Sequence, residues 1–248
     1  MTNFTQETEL LAPLQTFSQE AFVGDDNVPQ DICNFVLALA LIYNDCKDGI
    51  FSNLILAESK PSGKFKLSPP WGAYNGIKVH YLRLNIALIQ ELLNLIEENQ
   101  RTIKYPFFKS VVQQLSNKDR ASWNELVNAA HQKRTSNPLN KFLLMIRNKV
   151  SSHYDPKELY KGYRYHFFRS GGSSEPAFIS RGTSMQRSRF YFADAAADGY
   201  LQSQAVKEDP NELMSRVADL TSNINRAIMQ VVNHFIQKRG FAFKNYKP

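Results

Sequence analysis

Seven apolar residues near the end of the chain recur at steps of three and four: Leu213, Val217, Leu220, Ile224, Ile228, Val231 and Phe235. Such steps keep side chains on one face of a 3.6-residue helix, whereas a strand groups alternate residues. Asp209 and Pro210 supply a start signal and Gly240 a stop, so the pattern predicts a helix over about 210–238. The same period recurs in Leu82, Ile86, Ile89, Leu93 and Ile96, predicting a helix over about 74–99. A helix over about 30–47 has Pro29 near its start and Gly49 just after its end. Asn137 and Pro138 cap a further helix whose stripe is Leu139, Phe142, Leu143, Ile146 and Val150, ending near Asp155 because Pro156 disfavours helical geometry there. Shorter helices are expected over 7–22, 106–115 and 120–132, and a loop over 57–72.

No series of strands alternates with these helices, which argues against a doubly wound α/β fold. The expected class is all-α: one helical bundle over 1–248, without internal repeats. Apolar residues make up 43% of the chain, and 17 Phe and 11 Tyr provide bulk for a sizeable core. The longest apolar run, Phe35 to Tyr43, is far short of the ~20 residues a membrane helix needs. The first residues, Met1 to Glu7, lack the basic-then-apolar layout of a secretory leader. The expectation is a soluble, cytoplasmic protein with no membrane partner. Cys33 and Cys46 stand in one apolar helical stretch without CxxC or clustered His, so they read as small buried hydrophobes. No metal site and no cofactor is predicted. There is no phosphate-cradling glycine loop, no GxSxG elbow and no HExxH to carry nucleotide or serine hydrolysis.

The net charge is +7, and it is unevenly spread. Residues 157–192 hold seven basic residues (Lys157, Lys161, Arg164, Arg169, Arg181, Arg187, Arg189) against Glu158 and Glu175. Aromatic residues are interleaved with them: Tyr160, Tyr163, Tyr165, Phe167, Phe168, Phe190, Tyr191 and Phe192. This segment is expected to be a β-hairpin or long ordered loop inserted before the last helix. Its aromatics either stack on unpaired bases, with arginines on phosphates, or pack on the bundle with the charges facing water. The alternation of Tyr163, Tyr165 and Phe167 with Arg164 and His166 favours the packed alternative.

The stretch with the most chemical content is Ile146-Arg147-Asn148-Lys149-Val150-Ser151-Ser152-His153-Tyr154-Asp155. On a helix at about 100° per residue, with Leu139 as origin, Arg147 falls near 80° and His153 near 320°, flanking the apolar stripe. The pair suits RNA cleavage without a metal. The 2′-hydroxyl must lose a proton, the leaving 5′-oxygen must gain one, and charge builds on the phosphoryl oxygens. Histidine exchanges protons near neutral pH, and arginine grips two oxygens at once. Asn148 is suited to orient the phosphate or the imidazole. The bland alternative makes both residues boundary groups, Arg147 paired to a carboxylate and His153 capping a helix end.

The Arg147-Asn148-Lys149-x3-His153 string, on a late helix of an all-helical chain, resembles the signature of HEPN-domain proteins. With Asp155 following, it is most similar to the abortive-infection and toxin branch. The resemblance implies an up-and-down helical bundle that dimerises and a metal-independent endoribonuclease. Its catalytic residues would be Arg147, Asn148 and His153, lining a cleft shared by two subunits. RNA is the implied partner, with Lys149, Arg164, Arg169, Arg187 and Arg189 as candidate contacts and an antitoxin or regulatory protein as a further partner. The competing expectation is a catalytically silent helical module that binds RNA, a nucleotide or a protein. Of the remaining groups, Asp45 with Asp48 and Asp194 with Asp198 read as solvated helix faces, and His80, His131, His166 and His234 stand alone.

Overall fold

The helical periods become helices with few exceptions. A computed structural model describes residues 13–62, 68–131, 155–168, 176–204 and 210–245. Among them are eight α-helices: α1 (Gln30–Glu58), α2 (Pro69–Glu98), α3 (Gln100–Lys104), α4 (Pro106–Val112), α5 (Asn117–His131), α6 (Pro156–Phe167), α7 (Tyr191–Gln204) and α8 (Pro210–Lys238). The described chain is mostly helical. No helix among the described residues is long and apolar enough to cross a membrane. The helix expected over 138–155 lies outside the described residues.

Two compact units are distinguished by their packing. The first takes the described parts of 1–48, 88–140 and 219–248. Its centre is a run of aromatic contacts: Phe35 meets Phe108 at 5.5 Å between ring centroids, and Phe108 meets Trp123 at 5.8 Å. Burying each such side chain contributes ~1.5–3 kcal/mol. Ile89, Leu93 and Ile96 of α2 are buried in the same unit, as are Ile224, Ile228, Val231 and Phe235 of α8. These are members of the stripes read from the sequence. Cys33 and Cys46 are free and buried. The end of α8 is a left-handed turn at Gly240 (φ +83°). Gly240 donates its N–H to the carbonyl of Gln237, and Phe241 donates to that of Ile236. This pair of hydrogen bonds satisfies two of the four carbonyls that a helix end leaves open.

A small antiparallel pair, β1 (Gln15–Thr16) with β2 (Lys244–Asn245), joins the two ends of the described chain. The expected helix over 7–22 is therefore corrected over its described part, 13–22: residues 15–16 are extended and Gln19–Phe22 form a short 3-10 turn. Ser18 caps that turn by accepting from the Glu20 N–H. Residues 1–12 lie outside the described residues.

The second unit takes the described parts of 49–87 and 141–218. Here α1 runs to Glu58 instead of stopping at Gly49. Gly49 is buried, and a Cβ there would meet the Asn85 side chain, so this glycine serves close approach and not a turn. The α2 helix begins at Pro69, five residues before the expected start. Pro69 and Pro70 occupy its first turn, where a missing N–H costs nothing.

The largest correction concerns 157–192. Residues 156–167 are the helix α6, not a strand. Leu159, Gly162, Tyr163, His166 and Phe167 share one helical face, a period that the Tyr163/Tyr165/Phe167 alternation masked. Tyr163 and Phe167, four residues apart, bring their rings to 4.7 Å. Pro156 is the first residue of this helix. Asp155 is the cap, accepting from the N–H groups of Lys157 at 3.0 Å and Glu158 at 3.4 Å. Among the described residues of this segment, 176–190 has hairpin character, with a bridge between Ser180 and Arg189.

Candidate nucleic-acid interface

Arg147, Asn148, Lys149 and His153, and also Arg169, lie outside the described residues. The site that can be built from described groups is the part of the second unit that follows the motif in sequence: α6, the 176–190 hairpin and the start of α7.

The α6–α7 pair is held by glycines. A Cβ on Gly162 would collide with the Ala196 carbonyl and the Tyr200 backbone, and one on Gly199 would collide with the Gly162 carbonyl. The backbones can approach this closely only because both side chains are absent. Ala197 and Tyr200 form the buried seam, with Leu159 and Val79 packed on it. Burial pushes the Tyr200 hydroxyl up to about 12, helped by the charges of Glu158 and Asp155. Tyr200 is a core residue.

Beside this crossing, Asp198 is half-buried, and His166 and Lys78 act on it electrostatically. Gln202 Nε2 donates to Asp198 Oδ2 at 2.7 Å. Burial holds the Asp198 carboxyl above its usual range; His166, the Gln202 hydrogen bond and Lys78 each pull it back. Asp198 is thus not on a plainly solvated face, and His166 does not stand alone. Asp194 departs from the expectation as well, since Arg189 Nε donates to its Oδ2 at 2.9 Å.

That ion pair is part of the anchor of the hairpin. A Cβ on Gly76 would run into the Arg189 guanidinium and the Asp194 carboxylate, and one on Gly72 would run into the Tyr191 ring. Tyr191 donates its hydroxyl to the Pro69 carbonyl at 3.2 Å. Its single hydrogen is then committed, so the 3.0 Å contact with Ser180 Oγ has Ser180 as donor. The inner face of the hairpin, with Ser180, Arg189 and Tyr191, is therefore fixed to the first turns of α2.

The predicted RNA contacts divide accordingly. Arg164 is exposed on α6 and Arg187 on the hairpin. Neither makes an ion pair among the described residues. Arg189 is partly buried and pairs through Nε with Asp194. Arg181, which sequence reasoning left out of the site, is exposed beside Phe178, Ile179 and Phe190. The signal that would have found it is the absence of any acidic residue from 176 to 190, which leaves its charge unpaired locally. Among the described residues no cluster of three His, Cys, Asp or Glu is arranged to hold a metal ion. Comparison with known proteins finds no matching family model, no matching curated protein and no matching solved structure.

Proposed function

We propose that the chain is a metal-independent endoribonuclease of the HEPN type that works as a homodimer, in a phage-defence or toxin–antitoxin setting. The observation that carries this reading is the Arg147-Asn148-Lys149-x3-His153 string, which lies between the start signal Asn137-Pro138 in the sequence and the capping Asp155. The mostly helical fold agrees with it, as does the basic, aromatic surface immediately after the string. The setting rests on the family resemblance.

In this reading the 2′-oxygen attacks phosphorus as the bond to the 5′-oxygen breaks, leaving a cyclic phosphate and a free 5′-hydroxyl. His153 moves the proton in this exchange. Arg147 remains cationic throughout and holds the phosphoryl oxygens as their charge grows. Asn148 positions the phosphate or the ring. Six residues separate Arg147 from His153, about 9 Å of axial rise, so the long guanidinium, or the copy from a second subunit, closes the distance.

The test is cleavage of a mixed RNA pool by the purified chain in EDTA, beside Arg147→Ala and His153→Ala. The expected result is cleavage by the parent, lost in both variants while their helical content and melting remain intact. An inactive parent that binds RNA in a salt-sensitive way would replace the nuclease with a silent RNA-binding module. Arg164, Arg181 and Arg187, exposed and without an ion pair among the described residues, favour that module as the second reading.

A further inference from the structure

We infer that the outer face of the 176–190 hairpin is a docking strip for single-stranded RNA. The inference rests on RNA being the partner, and it names the surface and the strand form. The bridge pairs Ser180 with Arg189, so these two side chains share the inner face and Ile179, Arg181 and Phe190 share the other. The exposures agree: Ile179 is 45% and Phe190 58% accessible. Ile179 lies opposite Phe190, and Arg181 is its diagonal neighbour at roughly 7–8 Å, the reach between a base and its own phosphate.

The strip is built to stay in place. Phe190 is braced by an edge contact with Phe192 at 5.9 Å without being covered. The Phe178 carbonyl accepts from the Phe192 N–H, fixing the strand beneath. At the tip, Ser188 Oγ accepts from the Gly182 N–H at 3.2 Å and lies 3.0 Å from the Gly182 carbonyl and 2.9 Å from that of Ser184. With Arg189 neutralised by Asp194, the charge left over on this acid-free segment is that of Arg181 and Arg187. A cationic strip with a held aromatic ring complements a polyanion whose bases are unpaired, since stacking needs a free base face. At the tip, Gly182, Thr183 and Ser184 are small and polar and Met185 is a single exposed apolar side chain (86% accessible), while Phe178, Ile179 and Phe190 lie along the strands. A membrane-inserting loop would concentrate its apolar surface at the tip.

The experiment uses the full chain carrying His153→Ala, so that labelled RNA survives, and reads fluorescence anisotropy with a short oligoribonucleotide, single-stranded or annealed. The parent binds the single strand more tightly than the duplex. Phe190→Ala weakens single-strand binding by about 5- to 150-fold. Arg181→Ala with Arg187→Ala lowers the steepness of the log affinity against log salt plot by about 1.4. All these side chains are exposed, so melting curves should match the parent. Unchanged binding by these variants overturns the inference, while metal-free cleavage by the wild type would leave the nuclease reading standing. Binding that depends on the strip in a wild type that cleaves nothing upholds the inference and removes the nuclease. Preference for vesicles of phosphatidylcholine with phosphatidylserine over RNA, or binding of neither, also overturns it.

Discussion

Arg226 Nε donates to Asp119 Oδ1 at 2.6 Å, linking α8 to the first turn of α5 across 107 positions of sequence. The same carboxylate accepts from Ser116 Oγ at 2.6 Å, and the Asp119 N–H returns a bond to Ser116 Oγ at 3.1 Å. This is half of a capping box: Ser116 caps the N3 N–H, but the returning carboxylate bond is made by the Ser116 hydroxyl and not by its backbone N–H. The Ser116 bond first, and then Arg226, hold the Asp119 carboxyl below its ordinary 3.8. A depressed folded value means that its stabilisation is present above 3.8 and lost as pH falls through the folded value. Asp119→Asn should therefore lower stability by ~1–3 kcal/mol at neutral pH. Urea unfolding of parent and variant should show the gap narrowing in acid. A gap that is independent of pH would mean that the carboxylate charge contributes nothing.

The α6–α7 crossing gives a second expectation. Gly162→Ala drives a methyl into backbone atoms of Ala196 and Tyr200, which cannot swing aside as a side-chain tip would. The expected cost is at least ~1–3 kcal/mol, the usual range for overpacking. Gly240→Ala offers a contrast, because nothing lies within 4 Å of its added carbon. Its cost arises from the φ of +83° alone and should be about 1 kcal/mol. Thermal melts of the two variants test whether space or backbone angle governs each site. A Gly162→Ala protein as stable as the parent would show that the crossing is looser than described.

Much of this fold is written in periods and caps. The α8 stripe, its Asp209-Pro210 start and its Gly240 stop are local facts, and local reading suffices for them. Gly49 misled because a glycine within an apolar run can serve either a turn or a close neighbour. The neighbour, Asn85, is 36 positions away. Residues 157–167 misled for another reason. A strand period of two and a helical period of 3.6 both fit a short aromatic run, and the deciding signal was the Asp155-Pro156 cap. That pair is of the same kind as the start signals Asn137-Pro138 and Asp209-Pro210. At the candidate interface, the exposure of Arg164 and Arg187 agrees with the charge density of the segment. The pairing of Arg189 was not legible in the sequence, since it depends on Asp194 and on space left by Gly76 on another helix.

Cysteine chemistry provides a third expectation. Burial pushes the Cys46 thiol up to about 11, with the charge of Asp45 adding to it. Burial also raises Cys33, against the pull of Arg239, whose Nη1 lies 3.2 Å from the sulfur. Since the thiolate is the nucleophile, neither cysteine should react with a maleimide near neutral pH until the chain unfolds. Arg239 is only 6% accessible in its side chain and also donates to the Val23 carbonyl and the Asp25 carboxylate. Arg239→Ala should uncover Cys33 and leave Cys46 protected. Peptide mapping after labelling would separate the two, and equal labelling of both would mean general unfolding instead of a local opening.

Asp198 supports a prediction opposite in sign to that for Asp119. Its carboxyl is held above 3.8 chiefly by burial, and the attractions of His166 and Lys78 do not fully offset this. A folded value raised above the unfolded one gives a contribution that is present below 3.8 and lost as pH rises through the folded value. At neutral pH the ionised group therefore works against the fold. Asp198→Asn keeps an oxygen to accept from Gln202 Nε2 and removes the charge. The variant should be more stable than the parent at neutral pH, with the advantage disappearing in acid, where the parent carboxyl is already neutral. Melting temperatures across that range decide the matter. A variant less stable at neutral pH would show that the charge pairing with His166 and Lys78 outweighs the cost of burial, and that the carboxylate is held ionised beside the imidazole.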